Sequence, residues 1–121
     1  MSSLKDSVPG VDNSAALEND SVSKATPGYL VTAFGRIDST AASDDYYVQF
    51  MDSATVPSDG TVTFLVIPIK IVHVTGTDSI FDLDLKREYV YAASGISWCI
   101  STSEFTKTVA GDVASMTVLY K

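Results

Sequence analysis

From Tyr29 onward, apolar and polar positions alternate with a period of two, the repeat of a strand with one face buried. Tyr29, Val31 and Ala33 alternate with Leu30, Thr32 and Phe34, and Ile37 closes the segment. Tyr46, Val48 and Phe50 alternate with Tyr47, Gln49 and Met51. Both segments are rich in β-branched and aromatic residues, which suit a pleated, half-buried surface. The polar stretch 38–45 between them reads as a loop. Val56-Pro57-Ser58-Asp59-Gly60 reads as a turn, because proline presets φ and glycine accepts a positive one. It leads into the run 61–72, apolar on both faces from Phe64, so part of it is predicted to lie centrally. Pro68 has no N–H to give a ladder, which predicts an edge, bulge or break there, and a strand that changes sheet near that point.

Further on, Phe81, Leu83 and Leu85 are predicted to face inward, with Asp82 and Asp84 outward. Ile96, Trp98 and Ile100 share one face of the next segment; Ser97, Cys99 and Ser101 share the other. Ala110-Gly111-Asp112 introduces a last strand, in which Ala114, Met116, Val118 and Tyr120 alternate with Ser115, Thr117 and Leu119. Six strands, eight with the short ones, separated by turns and with no helix of ordinary length, predict an all-β fold: an antiparallel β-sandwich or jelly-roll-like domain.

The first 28 residues break this pattern. They contain no Tyr, Phe or Trp, and Leu4, Val8, Val11 and Leu17 stand singly among Ser, Asp and Asn. Such a segment buries too little apolar area to offset its ordering entropy. Residues 1–28 are therefore expected to be a flexible N-terminal arm, bounded by Pro27-Gly28, and residues 29–121 the folded domain. A short helix over residues 13–19, with Asp12 as its cap, would be too short to persist alone. Order in the arm is expected to come from a partner, with Leu4, Val8, Val11 and Leu17 as its contacts.

Composition narrows the partners. The 121 residues carry a net charge of −7, with eight basic residues against fifteen acidic ones. Phosphate backbones and anionic membrane surfaces demand Lys and Arg, so neither nucleic acid nor membrane is an expected partner. Lys86-Arg87 is the only adjacent basic pair and reads as part of a turn. One cysteine, Cys99, excludes an intrachain disulfide and suits folding in a reducing cytoplasm. The opening Met-Ser-Ser-Leu-Lys has no signal-like apolar run, and no stretch approaches a membrane span in length. The sequon Asn19-Asp20-Ser21 is accordingly read as chance.

Candidate chemistry is thin. His73 is the one histidine; a triad needs a nucleophile beside it and a zinc site needs further ligands, and the sequence has no Gly-x-Ser-x-Gly elbow. Cys99, mid-strand beside Trp98, reads as a packed, inert thiol. Asp82 and Asp84 lie roughly 7 Å apart by strand rise, within the range of glycosidase carboxyl pairs. Alternating aspartates are also what any half-exposed acidic strand shows. Asp38, Asp44 and Asp45 lack the spacing of a calcium loop. No enzyme activity, cofactor or metal is expected. Tyrosines suit interfaces and sugar stacking, and among Tyr46, Tyr47, Tyr89, Tyr91 and Tyr120, alternation forces Tyr46 and Tyr47 onto opposite faces. Tyr47 and Tyr91 are the candidate exposed binding aromatics.

Over residues 44–121, the order Tyr47-Val48-Gln49-Phe50-Met51-Asp52, Val56-Pro57-Ser58-Asp59-Gly60 and Ile67-Pro68-Ile69 resembles a small β-sandwich module of tailed-bacteriophage virion proteins. Phe81-Asp82-Leu83, the segment from Gly95 to Ser103, and Val118-Leu119-Tyr120 continue the likeness. The resemblance implies a non-catalytic virion component made in the host cytoplasm. Its leading form is a capsid decoration (cement) protein. Such a protein would bind the major capsid protein or another virion protein and neighbouring copies, as a homo-oligomer such as a trimer on a symmetry axis. The alternative is a receptor- or carbohydrate-binding fibre domain.

Overall fold

The computed structural model describes residues 9–85 and 88–121. The described chain is all strand and loop: β1 (Gly10–Asn13), β2 (Asp20–Lys24), β3 (Gly28–Ile37), β4 (Asp44–Asp52), β5 (Ile69–His73), β6 (Ser79–Leu83), β7 (Val90–Ala92), β8 (Ile96–Ser101) and β9 (Ala114–Tyr120). Two antiparallel sheets pack face to face. The first runs β1-β9-β3-β6, with β7 also on β3; the second runs β2-β8-β4-β5.

The pairings nest. β1 pairs with β9, β2 with β8, β3 with β6 and β4 with β5, all antiparallel. The chain is thus one long ribbon folded back on itself, with β4 and β5 at its tip. Rolling that ribbon brings β9 onto β3 and β8 onto β4, which closes a five-stranded layer, β7 included, over a four-stranded one. This is the winding of a jelly roll, and the predicted fold class is the observed one.

Period-two alternation decides which side chains meet, except in β3, where a bulge between Leu30 and Thr32 puts Leu30 on the same inward face as Ala33. Leu30, Ala33 and Ile37 of β3, Met116 and Val118 of β9 and Phe81 of β6 pack against Val48 and Phe50 of β4 and Ile96, Trp98 and Ile100 of β8. Gly35 lies where β9 presses closest to β3. A Cβ there would stand 2.2 Å from the Ser115 carbonyl oxygen and 2.9 Å from the Phe81 ring. Backbone cannot yield as a side-chain tip can, so Gly35→Ala is expected to cost about 1–3 kcal/mol as overpacking, read as a lower urea midpoint.

The N-terminal expectation needs correction. Residues 10–24 are not an arm: β1 and β2 are edge strands, one in each sheet, and Ser14 and Glu18 hydrogen-bond to Met116 and Ala114 across the corner between them. A five-residue edge strand such as Asp-Ser-Val-Ser-Lys needs no apolar face of its own. It adds hydrogen bonds to a core that other strands build, so missing aromatics did not prevent order. Val11 is an exposed β1 residue and Leu17 a half-buried one in the connection. Leu4 and Val8 lie outside the described residues. The short helix over 13–19 does not form.

Pro68 does break the strand, but no sheet change occurs there. Residues 63–65 and β5 both pair with β4, with Met51 opposite Phe64 and Val48 opposite Ile69, so residues 66–68 bulge out between them. The crossing to the first sheet comes at the turn after His73, where Gly76 takes φ +100°. There Arg36 pairs with Asp38 and with Asp78 (3.5 Å), and Ser39 N donates to Asp78 (2.7 Å). The Thr40 hydroxyl, the Arg36 guanidinium and the Thr40 N–H hold the Asp38 carboxyl at about 2. A carboxyl depressed on folding stabilises the fold above its unfolded pKa and loses that contribution as pH falls through the folded one. Asp38→Asn is therefore expected to be less stable than the parent at pH 7. The difference should close between about pH 5 and pH 2 in acid-denaturation curves.

Candidate functional site

β8 is buried on both faces: Ile96, Trp98 and Ile100 point into the roll, while Ser97, Cys99 and Ser101 point away from it yet are also covered. The cover is the segment 102–110 and the turn 53–60, joined by two backbone hydrogen bonds between Gly60 and Lys107. Beneath them Gln49 Nε2 donates to the carbonyls of Ser103, Glu104 and Thr106 at 2.9–3.0 Å, and the Cys99 thiol donates to Gln49 Oε1 at 3.1 Å. Lys107, 2% exposed, extends its ammonium to Asp20 on β2 (2.9 Å), to Asp59 (3.8 Å) and to the Pro57 carbonyl. This buried polar layer is a structural clamp, locking β2 and two loops to the back of the second sheet. Its signal in the sequence is the outward Ser-Cys-Ser of β8, small residues where a solvated face would carry Lys or Glu.

Cys99 sits at the floor of that layer, and burial pushes its thiol up to about 12. Thiolate is the reactive form, so a thiol reagent at pH 8 is expected to label Cys99 only after denaturation. Stoichiometric labelling of the folded chain would contradict this.

His73 and Ser79 form a pair that invites a catalytic reading, with Nδ1 2.7 Å from the Ser79 hydroxyl. The ring is 2% exposed and lies tilted against Tyr46, centroids 5.9 Å apart, and Nε2 has no protein partner among the described residues. Among the described residues no carboxylate is hydrogen-bonded to the imidazole, and neither cleft described below includes it. The pair joins β5 to β6 at the corner. Asp82 and Asp84 are both exposed, Asp82 on the outer face of the first sheet. No group of three or more His, Cys, Asp or Glu side chains is placed to hold a metal among the described residues.

The candidate aromatics separate. Tyr46 is core, its hydroxyl bonded to the Ala42 carbonyl at 2.8 Å. Tyr47 lies on the outer side of the second sheet, opposite Lys70 and Ser101. Tyr91 lies on the first sheet, 54% exposed, with its ring 5.2 Å from Tyr29. Tyr47 and Tyr91 cannot line one site.

What the structure does assemble are two apolar surfaces on opposite sides of the roll. On the first sheet the register sets outward residues in rows: Val11-Leu119-Thr32, Asn13-Thr117-Phe34-Asp82 and Ser115-Arg36-Ile80. Ile80 is 74% exposed, Val11 55% and Phe34 49%. A shallow depression of about 280 Å³ lies among Phe34, Arg36, Ile80, Ser115 and Thr117. On the second sheet's side, Phe105 of the covering segment faces the bulge Phe64–Pro68 across a depression of about 350 Å³, with Ile67 82% exposed. Sequence reasoning missed both. Period-two alternation gives Phe34 only as one member of a strand, and none of Ile80, Phe105 and the outward turn of Ile67 has a local signal.

Compared with known proteins, the chain matches no family model, no curated protein and no solved structure.

Proposed function

We propose that this chain is a non-catalytic virion structural protein, a capsid decoration protein that packs against a shell and against neighbouring copies. The observation that carries the reading is the pair of apolar surfaces on opposite sides of one roll. Exposed large apolar side chains gathered on a surface mark protein contacts, and two such surfaces back to back let one subunit touch two neighbours at once. The jelly roll agrees with it, since viral capsid domains are among its recurrent uses, although fold alone does not give function. The likeness of residues 44–121 to phage virion modules adds the setting. The acidic charge of −7 would keep free subunits apart before assembly.

With β1 and β2 built into the sheets, a latch made of residues 10–24 is not part of this proposal. The surface proposed to meet the shell is the Ile67–Phe105 side. Its test is co-sedimentation of the full chain with shells of its own virus. Ile67→Asp and Phe105→Asp should each abolish co-sedimentation while leaving the melting temperature unchanged, since both side chains are largely in solvent. Binding undiminished in both variants would overturn the assignment of that surface.

The alternative, a carbohydrate-binding fibre domain, retains one favouring observation: the exposed Tyr91 ring beside half-buried Tyr29, with lectin domains another use of the jelly roll. Glycan-array binding that falls with Tyr91→Ala and not with Tyr47→Ala would select it.

A further inference from the structure

We propose that the outer face of the β1-β9-β3-β6 sheet seats a second copy of this chain across a two-fold axis, Phe34 on Phe34 and Arg36 of each copy opposite Asp82 of the other. The inference deepens the packing role proposed above by giving one of its two surfaces an occupant.

Three features of the face point to a copy of itself. The first is its charge. The chain carries −7 in all, yet only two of the residues that the strands turn outward here are charged, Arg36 and Asp82. Across the strands of the face their charges cancel; Asp38 and Asp78, which hold Arg36, add negative charge at that corner, so repulsion between two copies is confined to the edge of the contact. A strongly basic or acidic partner would find nothing to pair with.

The second is arrangement. Phe34 stands opposite Asp82 in the ladder and Arg36 opposite Ile80, so the four side chains form a near-rectangle. Its sides are roughly 4.8 Å across the strands and about 6.6 Å along them. Phe34 and Ile80 occupy one diagonal, Arg36 and Asp82 the other. A two-fold axis lying in the contact plane along the Phe34–Ile80 diagonal returns each apolar residue to its own equivalent and brings each charge to within about 2.5 Å, in plan, of the other's position, inside the reach of an arginine side chain. An isologous interface needs that self-complementarity, in which residue i meets j and j meets i. Arg36 Nη1 is held by Asp38 and Asp78, but a guanidinium has five N–H donors, and the side chain is 38% exposed.

The third is extent. The 26 residues of β1, β9, β3 and β6, each covering roughly 3.3 Å by 4.8 Å, give a face of about 400 Å² in plan. Counting the relief of the side chains, this is of the same order as the ~800 Å² each partner gives to a standard interface. Thr32, Thr117, Ser115 and Asn13 supply polar surface around the Phe34–Ile80 centre, the usual anatomy of a contact that forms and releases.

Sedimentation equilibrium of the full chain over micromolar to millimolar concentrations tests this. The expected result is a reversible species of twice the 12.9 kDa chain mass. Phe34→Asp, Ile80→Asp and Asp82→Arg should each weaken it at least tenfold, whereas Tyr47→Ala, on the other sheet, should leave it unchanged. Far-UV circular dichroism confirms that each variant is folded. A monomer throughout, a trimer, or a dimer indifferent to all three substitutions would overturn the proposal. The two readings fail separately. A chain that dimerises but ignores shells ends the decoration reading and leaves the pairing; a monomer that still binds shells does the reverse.

Discussion

A chain beginning at Gly28 is expected to lose its cooperative unfolding transition altogether. Removing residues 1–27 takes away both β1 and β2, one edge strand from each sheet. On the second sheet it strips β8 of the partner that pairs with Ser97, Trp98 and Cys99, and it removes Asp20, the nearest counter-ion of buried Lys107. On the first it exposes the free edge of β9. Bared backbone groups, lost apolar burial and a buried charge left only with Asp59 at 3.8 Å and the Pro57 carbonyl each cost up to several kcal/mol, and together they are of the order of the roughly 5–15 kcal/mol by which domains are stable. The check is a thermal melt by near-ultraviolet circular dichroism. The truncated chain should show no sigmoidal transition and should bind a hydrophobic dye. A sharp transition close to that of the full chain would mean that the first two strands are dispensable, and the nested ribbon would not be the folding unit.

Lys107→Ala is the largest single-residue effect expected, about 3–5 kcal/mol, the range for removing one partner of a buried ion pair. The loss has two parts. Asp20, 22% exposed, keeps a carboxylate with no cation beside it, and the Pro57 carbonyl loses its donor. Asp20→Asn in the same background should restore part of the stability, because it removes the stranded charge. Urea unfolding of the two single variants and the double variant gives the coupling directly. Additive losses would show that the ammonium and the carboxylate do not act as a pair.

Most of the inner face of the roll was legible in the sequence because in a regular strand a side chain's direction depends only on its parity; the bulge in β3, which turns both Leu30 and Ala33 inward although alternation sets them on opposite faces, was not. Ile96, Trp98 and Ile100, and Met116 and Val118, fall on the core side where alternation puts them. The turn at Gly60 was legible too, since the chain takes φ +124° there. What alternation does not carry is the second layer. It states that Ser97, Cys99 and Ser101 face away from the core, but not that residues 102–110 fold back over them, because that depends on contacts far apart in sequence, such as Lys107 with Asp20. The N-terminal strands were misjudged for a related reason. β2 has one apolar residue, Val22, and its order comes from hydrogen bonds to a strand more than 70 positions away.

The candidate surfaces were harder still. Phe34 and Ile80 lie 46 positions apart and become neighbours only through the β3–β6 register, which no local pattern states. Tyr47 and Tyr91 offered a local signal, aromatics on predicted strands, yet they end on opposite sheets. Period and composition specify which side chains are free; only the winding of the ribbon specifies which free side chains share a face.

The most direct measurement is a reconstruction, by electron cryo-microscopy, of the virus particle proposed above to carry this protein. The expected map shows the roll outside the shell, with Ile67 and Phe105 against the shell protein and the face around Phe34 and Ile80 covered by a neighbouring copy. A particle without the chain, or one in which both of those surfaces stand open to solvent, would contradict it.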